Sequence, residues 1–359
     1  MLPHSSTMAD VARLAGVHRS TVSRALRDDP RITPDQREQI KAAAAQLGYR
    51  TNPLVAALMS ARRSRQEPLY RATLGFVTKY PRERAAWFAR EFGPLLQGAT
   101  ERAHAQGYHL EEFNGHEHTQ SPARLSEILQ HRGIHGLIIA PLHSIHDTVQ
   151  LDWTKFGAIA VGYSLREVAL SRVAHNHFTG LALAAQQART AGHERLGLVL
   201  PRRVVEKVGK RWLAAFYLDQ AEHSPSTAVP PLLFEEENEA EFRAWFTTHR
   251  PTALLCLNAA VLQGWLANIK VPAGCPAVIS LDRRPRDRGI TGVDQDYARL
   301  GAAAADAVIG LLHRNEQGLP PKPFTLLLDG TWIDGRSLTP LTSGAKRRLP
   351  RTKHAPAPA

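Results

Sequence analysis

The sequence predicts a two-part chain: a small all-α unit at the N-terminus, then a larger α/β body of two lobes with parallel sheets. Three observations carry this. Residues 7–50 hold three short helix patterns with capping residues and turn signals. From Ala72 onward, short apolar strand patterns alternate with amphipathic helix patterns, the rhythm of parallel α/β sheets. About 270 residues of that rhythm is large for a single sheet, so two lobes are expected.

In the N-terminal unit, Thr7 caps a first helix over residues 8–15, with Asp10 in its first turn. Gly16-Val17 turns the chain into a second helix over residues 18–26, and Asp28-Asp29-Pro30 breaks it. Thr33-Pro34 then supplies a cap with proline at the first helical position, opening a third helix that runs to about Leu47. Residues 51–71 are rich in Arg and Ala and read as a linker.

In the body, strands are expected at residues 73–77, 110–113, 136–140, 158–161, 196–200, 232–234, 253–257, 277–281 and 325–328. Helices are expected at 88–106, 125–131, 177–191, 211–220, 239–247, 261–267 and 297–312. The division that follows is 1–50, 51–71, a two-lobed body over 72–343, and a basic Pro/Ala-rich tail over 344–359 read as disordered.

The 359 residues carry a formal charge of +12 and are 43% hydrophobic, which excludes a fibrous or fully disordered chain. The charge sits at the ends. Residues 1–71 carry +6, residues 344–359 carry +5, and the body between carries only +1. An anionic polymer is therefore expected to meet the ends, while the body does something else. Two cysteines, Cys256 and Cys275, fit a reducing compartment. No secretory leader pattern precedes the first helix, and no run reaches 18 apolar residues, so a cytoplasmic protein with no membrane span is expected.

The most informative stretch is residues 10–26. Val11, Ala12, Leu14 and Ala15 make one apolar face, and Val17, Val22, Ala25 and Leu26 make another. Two short helices joined at Ala-Gly-Val form a helix-turn-helix, with Ile40, Ala43 and Leu47 closing its core. The second helix then turns His18, Arg19, Ser20, Thr21, Ser23 and Arg24 outward. Such donors and acceptors suit the major groove of double-stranded DNA. Arg19 and Ser20, at its start, are expected to meet base edges. Thr7, His18, Thr21, Ser23 and Arg24 are expected to position the unit on phosphates, and Arg31 is a further expected DNA contact.

Asp-Val-Ala-x-x-Ala-Gly-Val followed by Ser-Thr-Val-Ser-Arg-Ala-Leu resembles the headpiece of the LacI/GalR (lactose/galactose repressor) family of transcription regulators. The likeness continues through Ile32-Thr33-Pro34 and Leu47-Gly48-Tyr49 to Asn52-Pro53-Leu54-Val55-Ala56-Ala57-Leu58-Met59. The resemblance implies that the last segment, from Asn52 to Ala57 and Leu58, is a hinge helix that orders on operator DNA. Leu58 would wedge into the central minor groove. Eight residues are too few for a stable isolated helix, and an apolar wedge that unstacks a base step brings more protein onto bent DNA. Arg62, Arg63 and Arg65 lie within reach of nearby phosphates.

The body, over about residues 72–340, resembles the periplasmic-binding-protein-like regulatory domain of the same family. The likeness rests on Gly75-Phe76-Val77, Gly107-Tyr108, the run from Gly133 to Ile138, Gly192-His193, Arg211, Leu281-Asp282, Gln295-Asp296-Tyr297 and Gly301. It implies a small effector between the lobes, a homodimer on a palindromic site, and repression relieved or imposed by that effector. Carried over by position, the effector contacts are Tyr80, Asn176, Arg211, Asn258 and Asp282, with Trp87 as a further aromatic for stacking. These suit a small polar ligand, sugar-like or nucleobase-like. Asn258-Ala259 departs from the Asn-Asp often found there, His175-Asn176 from Asp-Asn, and residues 261–275 are shorter than the family pattern. The tail lacks apolar heptads, so a tetramerising coiled coil is not expected.

The competing reading is a non-regulatory sugar-binding α/β protein, or an enzyme, with an incidental basic N-terminus. No Gly-x-Ser-x-Gly, phosphate-loop or His-Glu-x-x-His pattern supports catalysis or a metal, and no cofactor is expected. His116, Glu117 and His118 are too weak a cluster to overturn this. The expectation is therefore a bacterial, cytoplasmic DNA-binding regulator, nucleoid-associated when bound.

Overall fold

The computed structural model describes residues 7–26, 29, 31–47, 49, 72–118, 122–224, 226–269 and 276–341. The linker residues Asn52, Ala57, Leu58, Arg62, Arg63 and Arg65, the tail over 344–359, and Cys275 lie outside the described residues.

The N-terminal helices are α1 (Met8–Leu14), α2 (Arg19–Ala25) and α3 (Pro34–Gln46). Thr7 closes a capping box on α1: its Oγ1 accepts from the Asp10 amide, and the Asp10 carboxylate accepts from the Thr7 amide at 2.9 Å. Gly16, at φ +66°, makes the turn between α1 and α2, a conformation that glycine adopts without strain. Val11, Ala12, Ala15, Val22, Ala25, Ile32, Ile40, Ala43 and Ala44 form the buried core. Leu14 departs from its expected place. It is 47% exposed, because Val11, Ala12 and Ala15 already fill the face of α1 that meets α2 and α3.

The body contains β1 (Ala72–Thr78), α4 (Ala85–Ala105), β2 (Tyr108–Asn114), α5 (Pro122–His131), β3 (Gly136–Ile139), β4 (Gly157–Val161) and β5 (Arg172–His175). It continues with α6 (His177–Thr190), β6 (Leu196–Pro201), α7 (Arg202–Lys207), α8 (Arg211–His223), β7 (Leu232–Phe234), α9 (Glu239–His249) and β8 (Ala253–Cys256). Last come α10 (Ala259–Ala267), β9 (Ala277–Ser280), β10 (Thr291–Asp294), α11 (Tyr297–His313), β11 (Thr325–Leu328) and β12 (Thr331–Ile333). Two six-stranded sheets result. The first has the order β11-β5-β4-β3-β1-β2 and is all parallel. The second has the order β12-β10-β9-β8-β6-β7 and is parallel except for the β10–β12 pair at its edge. Each sheet is covered on both faces by apolar clusters, which is why its central strands read as unbroken apolar runs.

Four elements were not expected from sequence: β5, α7, β10 and β12. Their sequences are short and mix charged or polar residues with apolar ones (Arg-Val-Ala-His, Thr-Gly-Val-Asp), so no periodicity marks them.

The chain passes between the lobes three times, at residues 175–177, 294–297 and 328–331. The first two crossings exchange helices. Helix α6 leaves the first sheet and packs in the core of the second lobe. Helix α11 leaves the second sheet and packs in the core of the first, against α4. That last contact is backbone on backbone. A Cβ added to Gly301 would run into the Leu95 carbonyl, and one added to Gly98 into the Ala298 carbonyl. Asn176 ties two crossings together: its amide donates to the Leu328 carbonyl, and its Nδ2 to Asp329 Oδ1 at 2.9 Å.

Candidate functional site

Two surfaces carry chemistry. The first is the outer face of α2. Val22 and Ala25 are buried beneath it, while Arg19, Ser20 and Arg24 are exposed and Thr21 and Ser23 half-buried. His18 caps the helix: its Nδ1 accepts from the Ser20 amide at 3.3 Å and lies 2.9 Å from the Ser20 hydroxyl. That contact fixes the His18 ring at the leading edge of the helix. Thr7 stands at the start of α1 with its hydroxyl donating to Asp10. Arg31 is held away from solvent freedom by a two-pronged pair with Asp29, at 3.0 and 2.8 Å.

The second surface is a cavity of about 520 Å³ between the lobes. Its walls are the carboxyl ends of strands from both sheets, where open α/β folds bind ligands. The first lobe contributes Trp87 and Glu91 from α4, Pro141 to His146 after β3, Tyr163 after β4 and His175 at the end of β5. The second contributes Arg202, Arg203 and Lys207 from α7, Trp212 from α8, Glu235 after β7 and Asp282 and Arg284 after β9. His177 and Tyr297, at the foot of the two exchanged helices, line its base.

A charged lattice crosses the cleft. Arg284 donates to Asp282 Oδ2 and to the Glu91 carbonyl, both at 2.9 Å, and lies 3.7 Å from the centre of the Tyr297 ring. Arg286 Nη2 donates to both oxygens of Glu91, at 2.9 and 2.7 Å. On the other rim Arg166 donates to the Glu206 carbonyl. Burial pushes the Asp282 carboxyl above its ordinary range, against the pull of Arg284 and Tyr297. Burial also keeps the imidazoles neutral: His177 falls to about 3 and His175 well below its usual value. Both ring nitrogens of His175, Nδ1 of His177, the Tyr163 hydroxyl and Asp282 Oδ1 have no hydrogen-bond partner among the described residues. Unpaired polar groups beside a cavity are open to pairing with water or with a molecule that enters it.

Residues 7–52 match the model for bacterial regulatory proteins of the lacI family, and residues 185–338 match the periplasmic binding protein-like domain. Residues 7–52 thus carry the lacI-family DNA-binding unit, and most of the chain is similar to regulators that carry it. The HTH-type transcriptional repressor PurR of Haemophilus influenzae (strain PittEE) is 23% identical over 331 residues, covering 88% of this chain and 93% of PurR. The transcriptional regulator CelR, solved as a cellobiose complex, shares the fold with a TM-score of 0.55 and 20% identity, covering 92% of this chain and 99% of that one. The lac repressor dimer bound to operator and the anti-inducer ONPF does so with a TM-score of 0.54 and 18% identity, covering 93% and 99%. The binding-protein model covers only part of the body. The first-lobe sheet nevertheless repeats the layout of the second, apart from the edge strand, which is parallel in the first (β11) and antiparallel in the second (β12).

Within the two-lobed body, two of the six effector positions expected from sequence line the cavity, Trp87 and Asp282. Tyr80 is buried behind Trp87, with its hydroxyl donating to the Pro141 carbonyl at 2.6 Å. Asn176 spends its side chain on the crossings and on capping α6. Arg211 donates to the Val208 carbonyl and lies 3.7 Å from the centre of the Tyr163 ring, so it supports a lining residue from behind. Asn258 caps α10 through its Oδ1, and its Nδ2 donates to Glu237. Among the described residues near 261–275, only Leu257 lines the cavity. Sequence reasoning missed Tyr163, His175, His177, Lys207 and Arg284. The available signal was position: each but Lys207 falls within a few residues of a strand's carboxyl end.

No helix among the described residues is long and apolar enough to cross a membrane, and no group of three or more His, Cys, Asp or Glu is placed to hold a metal ion.

Proposed function

We propose that this lacI-family regulator is a repressor that binds a palindromic operator as a homodimer and answers to a small polar ligand held between its lobes. One observation carries the DNA half: α2 buries Val22 and Ala25 and turns Arg19, Ser20 and Arg24 outward from a helix-turn-helix core. One helix of that width fits the major groove. Arg19 and Ser20 read bases; Thr7, His18, Thr21, Ser23, Arg24 and Arg31 position the unit on phosphates. Asn52, Ala57 and Leu58 order at the centre of the operator, with Leu58 as the wedge.

The ligand half is supported by the cavity. Its walls come from both lobes, so a bound molecule changes the balance between open and closed arrangements, and with it the DNA-competent dimer. The test is selection of duplexes from a random pool by the full chain. The expected product is a two-fold symmetric site whose binding weakens steeply with salt. Failure to enrich any site would leave the sugar-binding-protein reading standing.

A further inference from the structure

We propose that the interlobe cavity takes a small flat anion: a carboxylate or phosphate group on an aromatic or heteroaromatic frame, with its negative charge on Lys207 and Arg203. The proposal rests on the reading of this cavity as the effector site and narrows it.

The charge census of the walls is lopsided once pairs are removed. Four carboxylates line the cavity, and each already has a cation: Glu91 has Arg286, Asp282 has Arg284, Glu235 has Arg202 at 2.7 Å, and Glu206 has Lys210 at 3.5 Å. The lining cations are Arg202, Arg203, Lys207 and Arg284. Arg202 and Arg284 are taken. Lys207 and Arg203 have no ion pair or hydrogen bond among the described residues. Lys207 is half-buried on α7, with Nζ 5.9 Å from the Phe92 ring centre of the opposite lobe. Burial and the neighbouring Arg203 hold its ammonium down to about 8, with Asp147 pulling the other way. The half-buried Lys207 ammonium beside the exposed Arg203 guanidinium is unfavourable until an anion joins them.

The rest of the cavity describes the frame. Trp87, Phe92, Trp212 and Tyr297 supply flat apolar surface. Between them sit the unpartnered polar atoms of His175, His177 and Tyr163, all more than nine-tenths buried. Neutral imidazoles and a phenol offer single donors and acceptors to the edge of a ring. Asp282 Oδ1, also without a partner, accepts from a ring N–H or a hydroxyl. Among the described lining residues none is Asn or Gln, and no carboxylate lacks a cation. A wall built for a neutral polyol would carry such groups to match many hydroxyls.

The experiment uses the full chain, thermal shift and calorimetry. The probes are benzoate and phenyl phosphate, their uncharged counterparts benzamide and benzyl alcohol, and glucose, with acetate and inorganic phosphate as controls for charge alone. The expected result is saturable stabilisation by benzoate or phenyl phosphate, which of the two telling carboxylate from phosphate. Neutral probes and bare ions should bind at least about tenfold more weakly. Lys207→Met should lose about tenfold or more in anion affinity while melting no lower than wild type, because a half-buried charge without an ion pair has gone. Lys207→Arg should retain binding within about threefold. Glucose binding as well as the anions, no anion binding at millimolar concentration, or unchanged affinity in Lys207→Met would each overturn the proposal. Duplex selection on the same preparation separates the outcomes: if DNA is still recognised, only the ligand class has failed.

Discussion

Glu91 grips Arg286 across the cleft, a single Nη2 donating to both carboxylate oxygens at 2.9 and 2.7 Å. Glu91 belongs to α4 in the first lobe and Arg286 follows β9 in the second, so the pair ties the two lobes together. Burial alone would push the Glu91 carboxyl up. The hydrogen bonds from Arg286 and Arg90 outweigh it and hold the group below its ordinary value. Glu91→Gln should therefore open the lobes more than it unfolds them. Arg286 is 47% exposed, so the stability loss should stay near or below about 1 kcal/mol. Small-angle scattering of the variant should give a larger radius of gyration. An unchanged radius would mean that other contacts set closure.

The exchanged helices depend on glycine. Gly301 on α11 brings the backbone against Leu95 on α4, and Gly98 returns the contact at Ala298. Gly301→Ala forces these helices apart in a core that has no slack, and a loss of about 1–3 kcal/mol is expected in denaturant unfolding. Gly264, a helical glycine on α10 with open space around its Cβ position, is the control: Gly264→Ala should be neutral or slightly stabilising.

At the DNA face, Arg19→Ala should remove about 1–3 kcal/mol and relax base preference at one position of each half-site, read out by binding to a set of single-position operator variants. Leu58→Ala should weaken specific binding far more than nonspecific binding, because the wedge acts only where the central step is kinked. Equal losses on both kinds of duplex would remove Leu58 from that role.

Acid should loosen the body through two histidines. His177 is depressed to about 3 and His175 is also lowered, chiefly by burial. Both are ordinary imidazoles when unfolded, near 6.5. As pH falls below that value the unfolded chain takes up protons that the folded chain refuses, so stability drops, by about 1.4 kcal/mol per pH unit for each fully titrating histidine. Above about 6.5 neither contributes a slope. Comparing urea unfolding from pH 7 to 5 in wild type and in His175→Gln/His177→Gln checks this. The same acid slope in both proteins would contradict it.

The N-terminal unit was legible almost residue by residue. Its caps, its glycine turn and most of its core are local signals, and only Leu14 escaped, because its exposure depends on how three helices share one face. The two-lobed parallel body was legible from its rhythm. The helix exchange was not: nothing in the Tyr297–His313 pattern says which sheet it covers. The cavity was the least legible part. Tyr80, Asn176, Arg211 and Asn258 stand close to strand ends or helix starts and carry ligand-like side chains, yet each is used locally, as a cap, a crossing tie or a support. His175 and Lys207 had no motif to announce them, since their exposure to the cavity is created only when the second lobe closes over the first.

The central claim is that occupancy between the lobes sets affinity at the headpiece. The direct measurement is one titration: the selected duplex against the full chain, with and without a saturating concentration of the probe that raises its melting temperature. The expected change in dissociation constant is about 5- to 150-fold, with a matching change in ligand affinity when DNA is bound first. Identical DNA affinity with the ligand absent and saturating would contradict it.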